Sequence, residues 1–349
     1  MYEGLLLILT LLVPVSLSLL VVFCFLGVAG SPTDKFRSAF SLDSSKGLIN
    51  QGLLWLSILT PLFLALSLGM WVWPDYRVDL SLAGYKKFVE ISLLPLGVAS
   101  ISLPLTGLVA RFHSTRQTAR QIEVVSFKNN VDAFYTHRKE MIGYFAALGE
   151  VKYLDVITFS YKIHPVLHLR FFKGAPEKGF PQVKREYFNY VESRILGASK
   201  FLNGLLCGEG GSIGLLSLYI NACNDMYLAS EALAIPEISN DLFLEGVQIK
   251  GEPGDYNYIT MGTTTLQALA AIRYLKGYYD NLCDFAGVER MSIPDGYEVV
   301  FHGGQKLLEG TLYIEGLHES DVKQLVESGQ ARYCDNHPLV RKDEEQEDG

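Results

Sequence analysis

Three long apolar runs fill the first third of the chain, Leu5–Val28, Leu53–Val72 and Ile91–Ala110, and none contains a charged side chain. An α-helix needs roughly 20 consecutive apolar residues to cross a bilayer's hydrocarbon core, where every backbone polar group must be satisfied within the segment. The runs therefore predict three transmembrane helices. Two are the fallback, because Pro95 and Pro104 interrupt the third run and a buried core helix is its alternative reading. Pro14 and Pro61 hold comparable interior positions in the other runs, and membrane helices tolerate proline. Trp55, Trp71 and Trp73, all the tryptophans of the chain, stand near the ends of the second run, where the membrane interface favours them. For the first run a cleaved signal peptide is the minority reading, with Gly27-Val28-Ala29 as a passable cleavage site; the missing basic leader and the long apolar stretch argue for a span.

The third run empties into Arg111, His113, Arg116 and Arg120. Lys and Arg near helix ends stay on the cytoplasmic side, so this juxtamembrane basic cluster places the large C-terminal part in the cytoplasm. With three spans the loop carrying Lys35, Arg37 and Lys46 is inside, and the equally basic loop carrying Arg77, Lys86 and Lys87 is outside.

About 240 of the 349 residues lie beyond the spans, enough for one sizeable domain or two small ones. Their charge is uneven: residues 151–200 hold nine Lys and Arg against four Asp and Glu, whereas residues 201–340 hold seven against nineteen. Such a contrast bears on partners rather than on fold. The five cysteines are odd in number, widely spaced and without a CxxC pair, so neither a disulfide framework nor a zinc site is expected.

The expected fold is mostly α. A transmembrane region, 1–110, continues into a juxtamembrane helical stalk, 111–150, then a cytoplasmic, mainly helical α+β regulatory or partner-binding domain, 151–340, and a disordered acidic tail, 341–349. Leu154–Tyr161 and Val166–Phe172 are short and rich in β-branched and aromatic residues and read as strands, as do Tyr297–His302 and Gly310–Ile314. Val183–Leu206, Ile213–Ala234 and Thr263–Phe285 have helical spacing and form the expected core; Pro253-Gly254-Asp255 is a turn, and Glu319–Ser328 a closing helix capped by Ser320.

No Walker A sequence, nucleophile elbow, kinase signature or carboxylate pair is present, and no catalytic residue, metal or cofactor is expected. His164 and His168 have metal-ligand spacing, but Pro165 lies between them and the structural reading is preferred. Gly208, Gly210, Gly211 and Gly214 miss the dinucleotide spacing at Ile213 and read as a helix-breaking turn. Cys207 beside them reads as a small buried hydrophobe in preference to a reactive thiol.

Lys162, Arg170, Lys173, Lys178, Lys184, Arg185 and Arg194 alternate with Tyr161, Phe171, Phe172, Phe180, Tyr187, Phe188 and Tyr190, a mixture that pairs phosphate neutralisation with base stacking. The favoured competing reading makes the aromatics a core and the cations its solvated face or a match for the acidic region; anionic headgroups are another target. In the third run Ser102, Thr106 and Ala110 recur at four-residue spacing on one face, which suits close packing of the spans or a narrow water path, packing being preferred. Pro61, Pro95 and Pro104 supply kinks in the same region.

Leu103-Pro104-Leu105, Ala110-Arg111, His113, Gln117-Thr118, Gln121-Ile122, Asn129-Asn130, Phe134-Tyr135 and His137-Arg138-Lys139-Glu140 resemble a juxtamembrane stretch of many small bacterial membrane proteins, among them transmembrane effectors encoded beside retrons. The resemblance covers roughly forty residues. It implies a bacterial inner-membrane toxin of anti-phage defence, held silent by a reverse transcriptase and its RNA-linked single-stranded DNA and released to permeabilise the membrane and kill the infected cell. Contact of the basic segment with that nucleic acid, and of the acidic region with the reverse transcriptase, are expectations from charge alone. Lipid and a second copy of the chain complete the expected partners. A membrane-anchored sensor or scaffold and a membrane-tethered enzyme with a dispersed site are the alternatives.

Overall fold

The computed structural model describes residues 2–25, 32–209, 211–251, 258–303 and 313–341. The fold is mostly α with transmembrane helices at its N-terminal end. The described residues divide into two compact units, Met1–Lys128 and Asn129–Gly349.

In the first unit α1 (Tyr2–Phe25), α3 (Gly52–Val72) and α4 (Leu82–Ser100) carry the apolar runs, and α2 (Pro32–Phe40) lies between α1 and α3 in the chain. Helix α5 (Ser102–Leu148) begins two residues after α4 ends. The third predicted run is therefore split at Ile101. Pro104 explains the break: it sits in the first turn of α5, where its missing N–H costs no hydrogen bond. Ser81 caps α4 by accepting from the Gly84 N–H at 3.2 Å. Gly52 meets the backbone of Ala39 so closely that a Cβ would lie 2.6 Å from its Cα, which fixes how α2 rests on α3.

Three helical stretches are long and apolar enough to cross a membrane, Gly4–Cys24, Gly52–Val72 and Leu82–Leu148, the last taking in both α4 and α5. Only 17, 28 and 11% of their most apolar windows are buried within the protein, so most of their hydrophobic side chains need an apolar medium outside it.

The second unit is built on α7 (Arg185–Leu206), α8 (Gly211–Leu233) and α9 (Thr265–Ala286). Thr264 and Gln267 form a reciprocal capping box at the start of α9, and Gly287 ends it with φ +62°. The interior is rich in tyrosine. Tyr219, Tyr274, Tyr278 and Tyr279 are fully buried, and each hydroxyl donates to a backbone carbonyl, that of Met261, Ser160, Lys162 and Phe188 respectively. Strands β1 (Glu150–Tyr153) and β2 (Ile157–Ser160) form an antiparallel hairpin whose Phe159 ring stacks on Tyr274 at 4.2 Å. Gly277 of α9 lies against the Tyr153 and Tyr161 hydroxyls, where a Cβ would come within 2.8 Å of both. A third sheet has the order β6-β5-β7, from Tyr258–Ile259, Val247–Ile249 and Ala331–Tyr333.

Four local expectations are corrected. Leu154–Tyr161 is not one strand, because Leu154 and Asp155 adopt left-handed conformations and turn the chain into the hairpin. Val166–Phe171 is helix α6, which buries Leu167, His168 and Phe171 at i, i+1 and i+4; only Phe172–Lys173 (β3) pairs, with Gln182–Val183 (β4). Glu298–His302 is helix α10, held by Arg273 donating to the carbonyls of Val300 and Val299. Ser320 caps nothing: it lies within a π-helical turn, His318–Val322, and its hydroxyl donates back to the Gly316 carbonyl. The turn at Pro253–Asp255, most of the strand expected at Gly310–Ile314, the site at Gly27–Ala29 and the tail beyond Arg341 lie outside the described residues; Tyr313–Leu317 is helical.

Candidate functional site

Polar side chains bind the membrane helices to one another. Trp71 Nε1 donates to Thr10 Oγ1 at 3.0 Å and Ser67 Oγ to the Thr10 carbonyl at 3.1 Å, joining α3 to α1. Trp73 Nε1 donates to the buried Ser92 Oγ at 3.0 Å, joining α3 to α4, and Ser57 and Thr106 hydroxyls lie 3.3 Å apart between α3 and α5. Two of the expected interfacial tryptophans thus also hold helices together, which suits an indole whose N–H needs a partner in an apolar setting. Of the small-residue face, Thr106 reaches α3, and Ser102 bonds back only to the preceding turn at the end of α4, through the Ala99 carbonyl. Ala110 is half-buried. Pro61 and Pro95 are buried within the unit and Pro104 is exposed.

In the juxtamembrane cluster Arg116 donates to the Leu42 carbonyl at 3.0 Å, and Arg120 pairs with Glu123 at 3.0 Å. Arg111 is exposed without an ion pair among the described residues, and His113 is 3% exposed with neither ring nitrogen partnered there.

The basic segment divides in two. Arg170 donates to the Glu231 and Ala232 carbonyls at the end of α8, Lys184 donates to the Leu169 carbonyl at 2.6 Å, and Arg194 pairs with Asp225 at 3.0 Å across α7 and α8 while lying over the Tyr190 ring. These three are occupied within the fold. Hydrogen bonding to the Asp225 carboxylate holds the Arg194 guanidinium above its ordinary range. Lys162, Lys173, Lys178 and Arg185 are exposed and have no ion pair among the described residues. The interleaved aromatics divide similarly: Tyr161, Phe171, Phe172 and Phe188 belong to the core, Tyr187 is half-buried, and Phe180 and Tyr190 are exposed.

His168 pairs with His137, not with His164. His137 Nδ1 and His168 Nε2 are 3.0 Å apart, both rings are buried, and Phe134, Phe172 and Phe180 pack around them. Burial pushes His168 down to about 4, with His137 and Arg138 adding to the effect, and lowers His137 as well. His164 is exposed, accepts from the Val166 N–H and precedes the helix that carries His168, so the two never share a helical face. Thirty-one residues separate the paired histidines, and no local pattern could have joined them.

Among the described residues no cluster of His, Cys, Asp and Glu has metal-binding geometry. Cys207 is exposed, contrary to the expectation of a buried position, because α7 ends at Leu206 and Gly208 turns the chain with φ +71°. Gly210 lies outside the described residues. Buried Cys223 accepts from the Met261 N–H, and burial pushes its thiol up to about 12. No family model, curated protein or solved structure matches the chain.

Proposed function

We propose that the chain is a membrane effector: its apolar helices damage the bilayer in which they sit, and the Asn129–Gly349 unit decides when. The observation that carries this reading is the low mutual burial of the three apolar helices, which leaves most of their surface for lipid or for further copies of the chain. On this reading permeabilisation follows from self-association or displacement of those helices. The four exposed cations Lys162, Lys173, Lys178 and Arg185 are the candidate surface for a silencing nucleic acid. RNA-linked single-stranded DNA with its reverse transcriptase, in the inner membrane of a bacterium with the Asn129–Gly349 unit in the cytoplasm, is the setting that the juxtamembrane resemblance implies.

The test is expression of the whole chain in bacteria without neighbouring genes, with a potential-sensitive dye as readout. Depolarisation that precedes death and disappears when residues 1–110 are removed is the expected result. A sensor or scaffold would leave the potential intact. A tethered enzyme would kill equally well without the spans and lose that toxicity on point changes in the remaining unit.

A further inference from the structure

Two grooves adjoin where α3 gives way to α4, both within the Met1–Lys128 unit. The first, about 350 Å³, is walled by α1, α3 and α4 through Leu7, Leu68, Trp71, Leu94 and Pro95, and its lining is apolar but for one hydroxyl. That hydroxyl, on Thr10, is already used within the protein: it accepts from the Trp71 indole and donates to the Leu6 carbonyl. The second groove, about 620 Å³, is formed by the loop between α3 and α4 together with the first turns of α4. Trp73, Tyr76, Phe88, Arg77 and Lys87 are among its lining residues. Ile91 lines both grooves, so they meet there. Each volume is in the range of pockets that hold small ligands.

The second groove has fixed walls. Trp73 folds back over Gly69, where a Cβ would strike the indole ring, and its Nε1 donates to the buried Ser92 Oγ at 3.0 Å. The loop is pinned to the start of α4: the two Asp79 carboxylate oxygens accept from the Ser81 N–H and hydroxyl, and Ser81 caps the helix. Asp79 is the one carboxylate in this lining, against two cations. Arg77 is exposed, with neither an ion pair nor a hydrogen bond among the described residues. Lys87 lies over the Tyr76 ring and pairs with Glu90 at an exposed position.

An apolar groove that runs into cations and aromatic rings beside membrane helices has the polarity of a lipid, with an acyl chain at one end and an anionic headgroup at the other. Tryptophan and tyrosine favour that boundary. Val78 and Leu80, 93 and 79% exposed, flank Asp79 on the same loop and suit it as well. A helix from a second copy fits the apolar groove poorly. Membrane helices approach closely on small residues, whereas this wall presents Leu, Ile, Trp and Pro, and its one hydroxyl is already bonded.

We propose that the two grooves form one binding site for a phospholipid of net negative charge, with an acyl chain along Leu68, Trp71 and Leu94 and the headgroup phosphate at Arg77. Lys87 adds to the positive field there. The site does not depend on the effector reading; it requires only that α1, α3 and α4 lie in lipid.

The full chain in detergent micelles is titrated with phosphatidylglycerol, with phosphatidylcholine of the same acyl chains and with inorganic phosphate, and bound molecules are counted by native mass spectrometry. One phosphatidylglycerol per chain should be retained, at a concentration about fivefold below that needed for phosphatidylcholine, the effect of roughly one cation beside an anionic headgroup. Arg77→Ala, at an exposed position without partners, should erase that preference and leave phosphatidylcholine unchanged. Leu94→Trp, which fills the apolar groove from an exposed position, should lower occupancy by both lipids several-fold. Equal retention of the two lipids by the unaltered chain, a preference that survives Arg77→Ala, or occupancy that ignores Leu94→Trp would overturn the assignment. Inorganic phosphate bound as tightly as the lipid would overturn it too, in favour of a free anion.

Discussion

Trp71 Nε1 donates to Thr10 Oγ1 at 3.0 Å, so the last turns of α3 are bound to the first half of α1 through an indole and a hydroxyl that otherwise face apolar surroundings. The same hydroxyl donates to the Leu6 carbonyl, which leaves it oriented to accept. Hydrogen bonds between membrane helices contribute about 0.6 kcal/mol on average, because the separated helices find other partners. A double-mutant cycle of Trp71→Phe and Thr10→Val, read by denaturing-detergent unfolding in micelles, should return a coupling of about that size. Strict additivity would show that the pair contributes nothing.

In the second unit Asp225 is the group that most needs its partner. It is 8% exposed, bonded to Arg194, and faces Gly197, where an added Cβ would collide with its carboxylate. Arg194→Ala should destabilise the unit by about 1–3 kcal/mol, chiefly by leaving a buried carboxylate unpaired. Gly197→Ala should do comparable harm by displacing the same carboxylate, although Arg194 is still present. Thermal unfolding followed by near-ultraviolet circular dichroism distinguishes this from a silent surface change, which would shift neither midpoint.

The paired histidines predict a pH dependence with a definite sign. An imidazole held neutral in the fold binds fewer protons than the same group in the unfolded chain, so acidification favours unfolding. For His168 the loss should begin as the pH falls below the ordinary 6.5 and be complete near 4. Melting midpoints measured from pH 7.5 to 4 should decline across that window, and more shallowly in His168→Phe. Parallel declines in the two proteins would remove His168 from the cause.

What was legible in the sequence followed periodicity over long stretches. The apolar runs at Leu5, Leu53 and Ile91 and the helical spacing from Val183, Ile213 and Thr263 each extend over many residues, and local preference and tertiary environment agree there. Short segments failed. Val166–Phe171 and Glu298–His302 have β-branched and aromatic composition suited to strands, but each is fixed by a part of the fold distant in the chain: burial of Leu167 and Phe171 in the first, Arg273 in the second. The basic segment was legible as charge but not as geometry. Nothing local separates Arg194, whose partner lies 31 residues away, from Arg185, which has none among the described residues.

That division of the cations gives a prediction for the nucleic-acid surface. Replacing Lys162, Lys173, Lys178 and Arg185 with Glu removes the exposed positive charges without touching Arg170, Lys184 or Arg194, so the fold should persist. Recovery of nucleic acid with the purified protein should fall, and the slope of log affinity against log salt for single-stranded DNA should shrink by about 0.7 for each phosphate no longer neutralised. Unchanged recovery would retire the patch as a nucleic-acid surface.

Beneath these proposals lies the claim that lipid is the solvent for α1, α3 and α4. Alkaline carbonate extraction of membranes from cells expressing the whole chain tests it most directly. The protein should remain wholly in the pelleted membranes and enter solution only with detergent, whereas release into the carbonate supernatant would contradict the account.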